Sequence, residues 1–387
     1  MGYEFRETHM TLIKGGGLFC PEDRGVGDIL LGGGIILKTG PEIDLPKALR
    51  VDIYNASGKY VVPGFIDQHV HIQGAGGEGG PTTRTPEIPI EEILLAGVTT
   101  VVGVLGVDPV TRTMEGLLAK AYSLEEAGIT TYVYTGSYRV PTHTLTGSIQ
   151  KDLALIPKVI GVKVALSDHR SSQPTFEEFA RIVSEARVGG MLGKKAGIVH
   201  VHMGAGGRGM EYLFRLIKET EIPITQVIPT HVARTEALLE EATEYARQGG
   251  TVDITATEPG LGWWTTAPEA LQKLLREGVP LEQITISSDS NGSMPVFDEE
   301  GHLVGMAIGR IANLFQDFKS LAQSRALTLP QALMPFTINP AMALKIENKK
   351  GSIEEGMDAD ILVLREDLSI ERLYARGRPM VIDGRPA

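Results

Sequence analysis

Three observations predict an α/β fold: a (β/α)₈ TIM barrel carrying a small β-sandwich domain built from both termini. Between residues 64 and 342, segments of strand character alternate with amphipathic segments, and eight strands can be counted. Both ends of the chain are strand-rich and show no helical period. No Gly-x-Gly-x-x-Gly turn opens a helix after the first strand, which weighs against a doubly wound open sheet, the competing topology. The expected division is residues 63–342 for the barrel, and residues 1–62 with 343–387 for the small domain.

The elements follow in order. Short strands at 10–13, 27–31, 34–37 and 49–54 are punctuated by Gly, Pro and Asp. Barrel strands are expected at 65–71, 98–105, 131–137, 159–167, 197–202, 225–231, 250–255 and 283–288. Amphipathic stretches at 112–127, 176–186, 211–220, 235–247 and 268–277 supply helices between them. The tail returns to strands at 359–364, 370–375 and 379–382, with an Asp383-Gly384 turn. Two strand-rich ends around an alternating middle imply that the termini meet in one β-domain.

The totals narrow the function classes. The chain is 42% hydrophobic and 22% charged, an ordinary globular composition. A net charge of −11 with no Lys/Arg run argues against a nucleic-acid partner. Cys20 is the only cysteine, so no intrachain disulfide forms, which fits a reducing compartment and a cytoplasmic location. The polar opening MGYEFRETHM does not read as a signal peptide, and Arg6 stands where a myristoylation signal wants Ser or Thr. No apolar run is long enough to span a bilayer, so no membrane partner is expected.

Chemistry in such a barrel sits at the C-terminal ends of the strands. The first strand ends Gln68-His69-Val70-His71, and residues two apart share a face, so two imidazoles lie side by side. In the fourth, Val162, Val164 and Leu166 face the helices while Gly161, Lys163 and Ala165 face inward, the small neighbours making room for the lysine. A buried lysine is costly unless paired or modified. Three readings stand open for Lys163: a salt bridge to a core acid, carbamylation by CO₂ to give an anion with two metal-binding oxygens, or a Schiff base. The fifth strand ends His200-Val201-His202, the sixth Thr230-His231, and the eighth Ser287-Ser288-Asp289. A lone histidine is usually a core or surface residue. Here His69, His71, His202 and His231, with Lys163 and Asp289, fall at inward strand ends, and their mixed nitrogen and oxygen donors suit a transition metal.

PGFIDQHVH, the inward lysine, the histidines ending strands five and six, the aspartate ending strand eight and the closing KGSIEEGMDADILVL resemble the binuclear amidohydrolase superfamily. Within it, GAGGEGGP followed by TTRTPE, then GSYRVP, GVKVALSDHR, HVHMG, PTHV-R and SSDSNGS are similar to the isoaspartyl (β-aspartyl) dipeptidase family across essentially the whole chain. The resemblance implies a zinc-dependent dipeptidase that hydrolyses the isopeptide bond of β-aspartyl dipeptides. It implies two Zn²⁺ ions, one held by His69, His71 and Asp289, the other by His202 and His231, bridged by N6-carboxylated Lys163 and a hydroxide. His202 is preferred to His200, which is expected lower in the barrel. Asp289 would serve as ligand and base, Tyr138 as donor to the oxyanion, and Glu78 as holder of the substrate ammonium. Gly76, Gly77, Glu78, Tyr138, Arg170, Arg234 and Ser293 would contact substrate, the two guanidiniums matching its two carboxylates.

One position departs from the family pattern: Val107 stands where a threonine contact is expected, so a backbone contact survives there but a hydroxyl contact does not. The resemblance also implies a homo-oligomer, expected to be an octamer. Two alternatives are weighed against this reading. One is another amidohydrolase, such as a dihydropyrimidinase-like cyclic amidase or an N-acyl amino acid hydrolase. The other is a noncatalytic oligomeric scaffold, against which the retained ligand set and Glu78 argue.

Overall fold

The computed structural model describes residues 10–258, 265–297, 303–324 and 326–387. Residues 1–9 of the polar opening lie outside them. Eight parallel strands pair in chain order: Phe65–Val70, Val98–Gly103, Thr130–Gly136, Val159–Leu166, Ile198–Met203, Val227–Thr230, Val252–Thr255 and Ile284–Ser287. The first and eighth meet just beyond the eighth strand's end. Val70 bridges Ser290, the His71 N–H donates to the Ser290 carbonyl at 2.9 Å, and the Ser288 N–H donates to Asp67 at 3.2 Å. The sheet closes there into the expected (β/α)₈ barrel.

Side-chain alternation sets the two faces. Val162, Val164 and Leu166, with Val199, Val201 and Met203, pack outward in the main core. Ile66, Tyr134, Ile198 and Ile228 pack inward with Ala341 and Leu344. The first strand is irregular: its register with the second shifts between Phe65 and Ile66 and between Asp67 and Val70. Gln68 therefore turns into the barrel, where its amide donates to Asp253, although His69 and His71 point inward too.

Helix ends follow their caps. Met114–Ala127 starts at Thr113, whose hydroxyl accepts from the Gly116 N–H. Phe176–Gly193 opens with a Thr175/Glu178 capping box. It runs seven residues beyond the expected end at 186 because Gly189 and Gly193 lie against Leu153, and Gly190 against Gly197. A Cβ on any of the three would lie within 3 Å of those neighbours.

The terminal strands form one nine-stranded sheet. Its longest members are Met10–Phe19 and Asp23–Gly32. The first half of Met10–Phe19 pairs with Val51–Asn55 and its end with Tyr60–Pro63, with an irregularity between Ile13 and Gly16. Gly16 is required there, since a Cβ would lie 2.4 Å from Val61. By changing partners at that bulge the strand lets the sheet enclose a separate core of Ile13, Ile29, Ile36, Val61, Ile361 and Tyr374, which fits a small β-sandwich. Tyr60–Pro63 pairs with Ile361–Leu364 from the tail, and after Gly64 the chain enters the barrel. An antiparallel pair, Ser293–Phe297 with Leu303–Ile308, follows the eighth strand and was not expected from the sequence. Among the described residues no helix is long and apolar enough to cross a membrane.

Candidate metal centre and its mouth

The barrel brings the predicted residues of strands one, four, five, six and eight together. Nε2 of His71 and of His69 lie 3.1 and 3.3 Å from Asp289 Oδ1, and the donor atoms of this trio fall within 4.8 Å of one another. His231 Nε2 is 3.9 Å from Asp289 Oδ2. The rings of His202 and His231 stand 4.6 Å apart, and those of His69 and His231 5.0 Å. Lys163 Nζ reaches His69 Nε2 at 2.9 Å. All six side chains are buried. His231 and Asp289 hold the left-handed backbone region, φ +67° and +49°. Non-glycine residues there are uncommon and strained, and they recur at functional sites.

The outer nitrogens of three of the histidines are held by protein partners. His202 Nε2 lies 2.7 Å from Asp168 Oδ2, His231 Nδ1 2.7 Å from Thr255 Oγ1, and His69 Nδ1 3.1 Å from His200 Nε2. A carboxylate only accepts, so His202 carries its proton on Nε2 and leaves a lone pair on Nδ1. That nitrogen takes the Tyr138 hydroxyl at 2.6 Å. An acceptor on one imidazole nitrogen orients the ring and leaves the other as the position for a metal, a position the Tyr138 hydroxyl takes here at His202.

Electrostatics agree with a set of neutral ligands. Burial, reinforced by the Lys163 charge, holds His69 and His200 well below the usual imidazole range, and burial with His202 and Arg234 does the same to His231. Burial takes His202 down to about 3 despite its bond to Asp168. It takes the Lys163 amine down to about 7, the attraction of Asp289 and Asp253 opposing but not overcoming it. Burial pushes the Asp289 carboxyl up, but the His71 hydrogen bond and the neighbouring positive charges leave it below its ordinary value. Burial raises Tyr138, which stays a phenol. Among the described residues, His71 Nδ1 and His200 Nδ1 are buried without a hydrogen-bond partner. Neutral imidazoles, an ionised carboxylate and unpaired buried donor atoms fit a metal centre.

His200 lies where the sequence placed it, below His202, with the Tyr134 ring stacked on it at 5.2 Å. A second trio, His69, His200 and Asp253, also has donor atoms within 4.8 Å. Asp253 is committed elsewhere: its two oxygens accept from Gln68, Thr285, Ser287 and Thr230 at 2.6–2.7 Å. Gly161, expected to make room for Lys163, instead makes room for Tyr134, whose ring would lie 2.9 Å from a Cβ there.

At the mouth, Glu78 accepts from Arg170 Nη1 at 3.1 Å and from Ser293 Oγ at 2.5 Å. Arg170 lies over the Tyr138 ring, 5.6 Å from its centroid. Gly76 and Gly77 have φ of +75° and +99°, and a Cβ on Gly76 would lie 2.2 Å from the Thr83 carbonyl. Arg112 braces this loop by donating to the carbonyls of Gln73 and Thr85. The Arg234 N–H donates to the His231 carbonyl at 3.0 Å. Val107 is half-buried in the loop after the second strand. Asp168, Thr255 and Asp253 escaped the sequence reading. The acid inside the apolar run Val252-Asp253-Ile254 is a signal that finds the last, because an acid at a core strand position needs partners.

The amidohydrolase family profile matches residues 60–383. A beta-aspartyl dipeptidase of Fervidobacterium islandicum AW-1, solved in complex with beta-Asp-Leu dipeptide, is 44% identical over 98% of both chains, with a TM-score of 0.91. A second structure of a beta-aspartyl dipeptidase from that organism is 42% identical over 98% of both chains, with a TM-score of 0.89. A dihydroorotase of Carboxydothermus hydrogenoformans is 24% identical over 93% of this chain and 89% of its own length.

Proposed function

Since this chain belongs to the amidohydrolase family, we propose that it is a zinc-dependent dipeptidase acting on β-aspartyl dipeptides. The observation that carries the reading is the convergence of His69, His71, His202, His231, Lys163 and Asp289 beneath a mouth that offers Glu78, Arg170 and Arg234. His69, His71 and Asp289 would hold one ion and His202 and His231 the other, with Lys163 as the carboxylated bridge. A lysine with its amine near 7 supports that modification, because only the neutral amine attacks CO₂. The similarity to the Fervidobacterium enzyme supports the substrate class. When bound, the two ions supply Lewis acidity and an acidified water at neutral pH.

The chain's own residues do the rest. Arg170 and Arg234 bind the two carboxylates of the dipeptide, and Glu78 holds its ammonium. Tyr138, kept protonated by burial, donates from Oη to the oxygen on which charge develops. Asp289, ionised at neutral pH, takes a proton on its carboxylate and returns it to the leaving amine nitrogen. Gly76 and Gly77 keep side chains out of the substrate's path, and Ser293 fixes Glu78. A homo-oligomer in the cytoplasm, octameric by the family resemblance, completes the proposal.

The test is metal content together with turnover. Two zinc ions per chain, cleavage of β-Asp-Leu, and no cleavage of α-Asp-Leu or a hydantoin are expected. Hydantoin opening without β-Asp-Leu cleavage would instead select a cyclic amidase.

A further inference from the structure

Asp168 stands between the metal centre and the mouth. Its Oδ1 accepts from the Arg170 backbone N–H at 2.8 Å and from Arg170 Nε at 3.0 Å. Its Oδ2 accepts from Arg170 Nη2 at 2.8 Å and from His202 Nε2 at 2.7 Å. One carboxylate oxygen thus serves a ring from strand five and a guanidinium from the loop after strand four. Arg170 in turn donates Nη1 to Glu78. An unbroken hydrogen-bonded chain runs Glu78–Arg170–Asp168–His202–Tyr138.

The local backbone is built to keep Asp168 in place. Ser167 before it has φ +54°, a strained value for a residue with a side chain. Gly204 faces it across the strand ends, where a Cβ would lie 2.6 Å from Asp168 Cβ and 2.3 Å from the Ser167 carbonyl. Gln173 Nε2 donates to the Asp168 carbonyl at 2.8 Å. Asp168 is itself buried.

We propose that Asp168 is a positioning residue that fixes the proton of His202 on Nε2 and ties this histidine's hold on its metal to the placement of Arg170. The assignment rests on the two-metal dipeptidase reading above. Its physical basis is that an acceptor on one imidazole nitrogen orients the ring and strengthens the other nitrogen as a donor. The bidentate guanidinium fixes that acceptor in place. A substrate carboxylate drawn to Arg170 then acts on the same guanidinium that braces the acceptor of His202.

The test counts zinc after a timed challenge with a chelator. In Asp168→Asn, one of the two ions should be held about 10–100-fold more weakly, the loss expected when a second-sphere partner of a ligand is removed. The ion on His69 and His71 should be retained as in the parent. KM for β-Asp-Leu should rise several-fold as Arg170 loses its brace. Arg170→Gln reads the same chain from its other end and keeps the test decisive where the Asn variant fails to fold. Although Arg170 touches no proposed ligand, its removal should also loosen one ion, by several-fold. Parental zinc retention in either variant overturns the coupling. If the parent holds both ions but leaves β-Asp-Leu intact, the substrate reading has failed, while the zinc counts of the two variants still decide the role of Asp168.

Discussion

Lys350 lies where the terminal sheet meets the barrel, its ammonium 2.7 Å from Asp358, 2.5 Å from Asp360 and 2.6 Å from the Thr130 hydroxyl. Lys163 lies inside the barrel beneath its mouth, among imidazoles and 2.9 Å from His69. The two are about equally buried, 2% and 0% exposed. Burial pulls both amines down, but the carboxylates at Lys350 more than reverse it and raise that group above its ordinary value, while Lys163 falls to about 7. A buried cation with acids around it is structural cement. A buried amine surrounded by other Lewis bases suits the ligand role proposed for Lys163, because every group there has a lone pair and few have a proton to give.

The sharpest way to break this contrast is to exchange what each lysine loses. Lys163→Ala should abolish dipeptide cleavage by more than the ~10³-fold that deletion of one oxyanion donor costs. It should empty the metal centre, and short carboxylic acids should restore part of the activity by supplying two oxygens. Full activity in that variant would refute the bridging role. Tyr138→Phe, one contact removed from the ligands, should lower kcat by ~10²–10³-fold with both ions retained. Lys350→Met should behave in the opposite manner: a stability loss of about 3–5 kcal/mol by denaturant titration, from two uncompensated carboxylates, with kcat unchanged while the protein stays folded.

A further effect is in pH, and its sign differs at the two sites. The Lys163 pKa is near 7 folded and 10.5 unfolded, so between those values the unfolded chain binds the extra proton. Metal-free protein should therefore gain stability as pH rises from about 7 towards 10.5, and Lys163→Met should flatten that gain. Lys350 is raised in the folded state, so its contribution is full below 10.5 and is lost only at higher pH, as its folded pKa is passed.

The barrel and most of the six convergent residues were legible because strand parity is a local property; His231, past its strand's end at φ +67° and next to the inward Thr230, was legible only as a strand end. Lys163, His200 and His202 follow the parity without exception. It fails on the first strand, where two register shifts bring Gln68 inward beside His69. Asp168 was illegible for a different reason. It lies past the end of its strand, beyond a residue at φ +54°, and what makes it matter is a ring 34 positions away. Asp253 gathers donors from residues 68, 230, 285 and 287, a relationship no window of sequence contains. The extent of Phe176–Gly193 was hidden by its glycines, which mark close helix packing there and not a stop.

The closure of the barrel carries a consequence of its own. Strands one and eight share a bridge at Val70 and Ser290 in place of a full ladder, and the Ser288 N–H reaches Asp67 across 221 positions of chain. His69 and His71 stand on one side of that seam and Asp289 on the other. An ion held by the three would be a clasp across the last joint of the cylinder, made late in folding because its halves are so distant in sequence. Ligand saturation then becomes a mechanical property of the whole barrel: at a hundred times its dissociation constant the ion adds about 2.7 kcal/mol to the closed form. Fidelity of assembly and readiness for chemistry would be inspected at the same place.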